Sequence, residues 1–135
     1  MALLVSVTLA SAATSTTTTS SAIVTHEIHF ERNSDRISVE EIRALVDWKI
    51  EILRLRGLLH LGIYLKTDSR LDVPLRIAEK RLDAIALLMN TLGFKIYDAA
   101  IEDFNVPNAA RRLTQKEANT AVVAIPPPCM RALTC

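Results

Sequence analysis

Glycine is scarce. Gly57, Gly62 and Gly93 are the only three and lie far apart, so no glycine-rich phosphate loop can be built. Phe, Trp and Tyr together make up 4% of the chain, too few for a base-stacking surface. Three His and two Cys do not assemble a recognisable zinc signature. Neither charge sign dominates. Lys plus Arg number 16 and Asp plus Glu 15, a net charge of +1, which excludes nucleic-acid binding by bulk electrostatics. Long hydrophobic runs are missing too. Ala2–Ala10 is apolar over nine residues, well short of the roughly 20 that span a bilayer. What is present is a chain of 135 residues, half of them hydrophobic, enough for one domain with a real core.

The charges are unevenly placed. Residues 1–26 contain no Asp, Glu, Lys or Arg. The run Ala2–Ala10 is followed by Ala10-Ser11-Ala12, a small-x-small pattern, so residues 1–12 read as a secretory signal. Ser11–Ser21 holds nine Ser or Thr in eleven residues. Such a stretch cannot bury enough apolar surface to offset its ordering entropy, and 13–22 reads as a flexible spacer. Residues 23–125 are the expected domain, and 126–135 a tail rich in Pro and Cys. Cys129 and Cys135 bracket a short loop. In an exported chain this even pair can close a small disulfide; otherwise it is two thiols on a tail.

Periodicity orders the domain. Ile23–Phe30 alternates, with Val24, His26, Ile28 and Phe30 on one face, and reads as a half-buried strand. Ser38 and Glu41 form a capping-box pattern ahead of a helix that runs to Arg56 and stops at Gly57. Ile42, Leu45, Val46, Ile50, Ile52 and Leu53 are its expected core stripe; Trp48 and Leu55 lie off it, at an edge or against a partner. Leu58–Leu65 is a buried strand, with His60 a core histidine. Pro74 opens a second helix that reaches Leu92 and ends at Gly93. Phe94–Ile101 and Thr120–Ile125 are two further strands, separated by a polar loop from Glu102 to Gln115. The expected class is α+β: a two-layer α/β sandwich of order β-α-β-α-β-β, with two helices on one face of a mixed sheet.

One residue breaks the pattern. At about 100° per residue, Ile77, Leu82, Ile85, Leu88, Met89 and Leu92 cover one side of the second helix, and Arg81 falls among them. A guanidinium on the core side needs an anionic partner or a route to water. Asp68, at the exit of the buried strand, is the expected partner. An Arg and an Asp across a cleft suit a ligand that carries both an ammonium and a carboxylate. His26 and His29 are three apart on a strand and point to opposite faces, so they do not chelate. No Ser-His-Asp or Cys-His arrangement is legible, and Thr67, Asp68 and Ser69 have no neighbouring base. The chain is therefore expected not to be an enzyme, and no cofactor or metal is expected.

The residues Ile28-x-Phe30, Ser34 and Ile37, then Thr67-Asp68, then Ile77-Ala78-Glu79-Lys80-Arg81-Leu82-x-x-Ile85, Gly93, and Ala118-Asn119 before Val122–Ile125, together resemble the OmpA-like peptidoglycan-binding domain. The likeness covers Ile28 to Ile125. Leu65 stands where the family has glycine, and Thr120-Ala121 where it has an arginine pair. The resemblance implies a non-catalytic, cell-wall-anchoring module that recognises the diaminopimelate stem peptide of peptidoglycan. It assigns ligand binding to Asp68, Arg81 and Thr67, and places the chain in the periplasm or cell envelope. Envelope proteins are further expected partners; nucleic acid and a transmembrane span in the mature chain are not. The alternative on the same fold is a structural or protein-interaction domain of the envelope.

Overall fold

A computed structural model describes residues 23–56, 59–106 and 111–126. The leader (1–12), the spacer (13–22), Gly57 and the Cys129–Cys135 pair lie outside the described residues. Four strands, β1 (Val24–His29), β2 (His60–Thr67), β3 (Lys95–Asp103) and β4 (Thr120–Ile125), form one mixed sheet of order β1-β4-β2-β3. β4 runs antiparallel to both neighbours, pairing Ile28 with Ala121 and Tyr64 with Val122, while β2 and β3 are parallel. The two long helices are α1 (Val39–Arg56) and α2 (Leu75–Thr91). A parallel pair needs a long crossover, and α2 supplies the one between β2 and β3. No helix among the described residues is long and apolar enough to cross a membrane.

Both helices cover the same face of the sheet. Leu45, Trp48 and Ile52 of α1 and Ile85 and Met89 of α2 share one core with Ile28, Leu61, Ile63, Leu65 and Val123. The element order, the mixed sheet and the two-layer packing agree with the sequence pattern. Local signals set the helix ends. Ser38 Oγ accepts from the Glu41 amide at 3.2 Å. Gly93, at φ +91°, closes α2 with its amide on Asn90 O, a backbone state that glycine adopts without strain.

Three expectations give way. On α1 the core side is Leu45, Trp48 and Ile52, whereas Val46, Ile50 and Leu53 are exposed. The helix carries two adjacent apolar stripes, and the one holding the large indole is buried. Trp48 stacks on Phe94 at 5.8 Å between ring centroids and lies 5.4 Å from His26. Leu55 is exposed, as its off-stripe position implies, and His60 is only half-buried at the start of β2. The loop expected from Glu102 to Gln115 is shorter, because β3 continues to Asp103. A further helical turn, α3 (Gln115–Ala118), precedes β4. Thr114 and Glu117 form its reciprocal capping box.

Candidate functional site

Four chain segments meet at one end of the sheet, beyond the C-terminal ends of β1 and β2 and the start of β4. Arg81 comes from the second turn of α2 and is 2% exposed. Its Nε donates to Ser34 O at 2.7 Å, and its Nη2 to Glu31 O at 3.2 Å and Asn119 Oδ1 at 2.9 Å. Nη1 reaches Ala118 O only at 3.5 Å. The guanidinium also lies 4.8 Å from the centre of the Phe30 ring. It thus ties the β1–α1 loop to the α3–β4 junction through α2. Among the described residues no carboxylate comes within ion-pair distance of it. Burial lowers its pKa from the ordinary guanidinium value, opposed by the charge of Asp35. An arginine nevertheless keeps its proton, so a positive charge is buried here with neutral acceptors and no anion in contact.

Asp68 closes β2 and is fully buried. Its backbone exchanges two hydrogen bonds with Val73, at 2.9 and 3.1 Å, which pinch the intervening residues into a 3-10 turn (Ser69–Leu71). Thr67 Oγ1 donates to Val73 O at 2.8 Å and ties the same pinch. The Asp68 carboxylate accepts from the Arg70 amide and Nε on Oδ1, and from Arg70 Nη2 on Oδ2 at 2.8 Å. That fork holds the Asp68 pKa below the usual carboxylate value, against the opposing effect of burial. Arg112 adds a weaker attraction. The carboxylate therefore takes the guanidinium of Arg70, two residues away, in place of the Arg81 partnership expected from the sequence. The reason is local: capping the 3-10 turn points Asp68 back at its own loop. Asp72 ends that turn at φ +59° and is ion-paired to Arg32.

α3 lies between the two buried charges. Gln115 Nε2 donates to Leu71 O at 2.9 Å, on the Asp68 loop, while Ala118 and Asn119 at its other end face Arg81. A small second core of Val73, Ile77, Ala78, Leu113 and Ala118 seats it. Arg111, paired to Glu117 at 2.7 Å, sits on its outer side and lowers the Glu117 pKa. Sequence reasoning missed Arg70, Asn119 and Phe30 as partners at this end of the fold. The Thr114-x-x-Glu117 signature alone was available to announce α3. No group of three or more His, Cys, Asp or Glu able to hold a metal occurs among the described residues.

No protein-family model matches the chain, and no curated protein matches it. Solved structures do. It is similar to the OmpA-like domain of FopA1 from Francisella tularensis at 14% identity and a TM-score of 0.56, covering 76% of this chain and 71% of that one. It is also similar to the periplasmic domain of Helicobacter pylori MotB at 15% identity and a TM-score of 0.53, covering 82% and 86%. At such identities the likeness is one of fold. The sheet order, the two covering helices and these matches lead to one statement: the chain has the fold of an OmpA-like domain.

Proposed function

We propose that the chain is a non-catalytic peptidoglycan-binding module of the cell envelope, exported to the periplasm, that takes the diaminopimelate stem peptide between Asp68 and Arg81, with Thr67 shaping the Asp68 end. The observation that carries this reading is the buried Arg81 guanidinium. It holds a full positive charge, contacts no anion among the described residues, and makes only one long contact through Nη1. A ligand carboxylate would supply the missing negative charge. Asp68 lies buried at the same end of the sheet and would accept from the ligand ammonium once Arg70 swings away. Arg70 is free to do so, because its side chain is 45% exposed.

The experiment is a pulldown on peptidoglycan of the diaminopimelate type, with free meso-diaminopimelate as competitor. Wild type is retained and then released by the competitor. Asp68→Asn loses retention while keeping its fold by circular dichroism. Arg70→Ala, which only uncovers Asp68, is retained at least as well as wild type. A wild type that passes through unbound, or an Asp68→Asn that binds equally, ends this reading.

A second reading has its own support. The potential ligand groups already have partners within the chain, Asp68 on Arg70 and Arg81 on three oxygens within 3.2 Å. A domain that uses them as internal ties and presents other surfaces to proteins of the envelope accounts for that, and it is what failed retention would leave.

A further inference from the structure

α1 leaves an apolar stripe uncovered. Val39, Val46, Ile50 and Leu53 are 58%, 38%, 64% and 44% exposed. They fall within about 60° of one another at 100° per residue, roughly a third of a turn from the buried face. The stripe continues into a groove of about 400 Å³ between the helices, lined by Ile42, Leu87 and Leu88 among others, and Leu87 is itself the most exposed large apolar side chain among those described. An apolar strip along the whole of an 18-residue helix is not the scattered surface apolarity of ordinary proteins.

Beside the stripe, on its outer flank, runs a row of charges: Glu40, Arg43, Asp47, Glu51 and Arg54. All five are exposed, and none is in an ion pair among the described residues. Read forward the signs are minus, plus, minus, minus, plus. Reversed against itself, the row sets Glu40 opposite Arg54 and Arg43 opposite Glu51, leaving only Asp47 against its own copy. A two-fold axis perpendicular to two antiparallel helices brings the same flank of each together, so these are the contacts a symmetric pair would make. The row's mixed signs do not suit an anionic lipid surface, which selects for Lys and Arg.

We infer that α1 is a self-association surface: two copies of the chain pack their α1 helices antiparallel through Val46, Ile50 and Leu53, in a register selected by the Arg43–Glu51 and Glu40–Arg54 contacts. The inference is independent of what the Asp68–Arg81 end binds. The interface is isologous, as closed dimers require. Charge pairs of this kind, at the edge of an apolar seam, fix partner and orientation more than they add affinity.

Sedimentation equilibrium of the full chain, from micromolar to roughly 0.5 mM at low salt, tests it. Wild type moves from 14.9 kDa toward twice that mass. Ile50→Lys, or Val46→Glu should the first variant fold poorly, keeps the circular dichroism of wild type and weakens association at least tenfold. Arg43→Glu and Glu51→Arg each weaken it about fivefold, because both faces of the two-fold are hit. The double variant Arg43→Glu/Glu51→Arg restores it to within about twofold. That rescue is the decisive arm. Within one helix, Arg43→Glu makes both Glu40 and Asp47 unfavourable neighbours of position 43, while Glu51→Arg relieves Asp47 but sets position 51 against Arg54. The double variant therefore has no more favourable near neighbours than Arg43→Glu alone, and a purely intrahelical effect would not be rescued. A wild type monomeric throughout, a dimer that survives both stripe variants, or a double variant no better than the singles overturns the inference.

Discussion

Replacing Arg81 by alanine asks how much of the fold hangs on one buried cation. The side chain donates to Ser34 O, Glu31 O and Asn119 Oδ1. Ser34 is half-buried and Glu31 exposed, so water can re-satisfy those two carbonyls after truncation. Asn119 is buried, and its amide oxygen would be left without a donor, at a cost of about 1–3 kcal/mol. Loss of the contact over Phe30 and of the packed stem adds about 1–2 kcal/mol. Relief of the guanidinium desolvation offsets part of this. The net expectation is a destabilisation of about 3 kcal/mol, equivalent to a melting temperature lower by more than about 10 °C for a domain of this size. Arg81→Met keeps the stem, leaves only the orphaned acceptor, and should cost about 2 kcal/mol. Urea titration read by fluorescence suits the measurement, because Trp48 is the only tryptophan and is buried. The midpoint falls while the slope stays constant. A double-mutant cycle with Asn119→Ala should show coupling of about 1 kcal/mol. If Arg81→Ala unfolds within about 1 kcal/mol of wild type, the guanidinium is not the tie described above.

Two further outcomes follow from buried features of the sheet. His26 has its Nε2 buried without a partner beside Trp48, and burial lowers its pKa below 6.5 despite the attraction of Glu41. The neutral ring is therefore favoured in the fold. Its contribution to stability is complete above the unfolded value of 6.5 and is lost as pH falls from there through the folded value. Urea midpoints taken from pH 8 to 5 should decline over that window, and the decline should shrink in His26→Phe; an unchanged slope in that variant would refute the assignment. On the other face of the sheet, the Tyr64 ring lies back over Gly62 and its hydroxyl donates to Asp98 at 2.9 Å. A methyl at position 62 would sit 2.8 Å from Tyr64 Cζ. Gly62→Ala is expected to cost about 1–3 kcal/mol by thermal melting, and clearly less in a Tyr64→Thr background. Equal costs in both backgrounds would show that the ring is not the obstacle.

What the sequence disclosed, and what it withheld, divide along one line. Features set by neighbours in the chain were legible: the alternation of β1, the Ser38 and Gly93 helix ends, the burial of Ile77, Ile85 and Met89, and the intrusion of Arg81 among them. Features decided by distant partners were not. α1 carries two apolar stripes that periodicity ranks alike, and only contact with β1 and Phe94 selects the one with Trp48. At the candidate site, helical spacing located Arg81, but its acceptors come from residues about 40 to 50 positions away. Asp68 was located at the strand exit, while its pairing to Arg70 depends on a 3-10 turn held by Thr67 and Val73. α3 announces itself only through its capping box, because four residues are too few for a periodic signal.

The position of β4 has a consequence for how the protein is made. The last of the described strands in the order of synthesis lies in the interior of the sheet, between β1 and β2. Among the described residues β1 pairs with no other strand, and its partner residues lie far along the chain, as with His29 and Thr120, 91 positions apart. A ribosome-bound chain that has not yet released Thr120–Ile125 therefore offers β1 nothing to join, and the sheet cannot be finished one hairpin at a time. Folding must await the complete domain and close its longest loop late, which makes it slow for its size. Under the export proposed above, that delay would favour passage across a membrane, because it prolongs the unfolded state that threading requires.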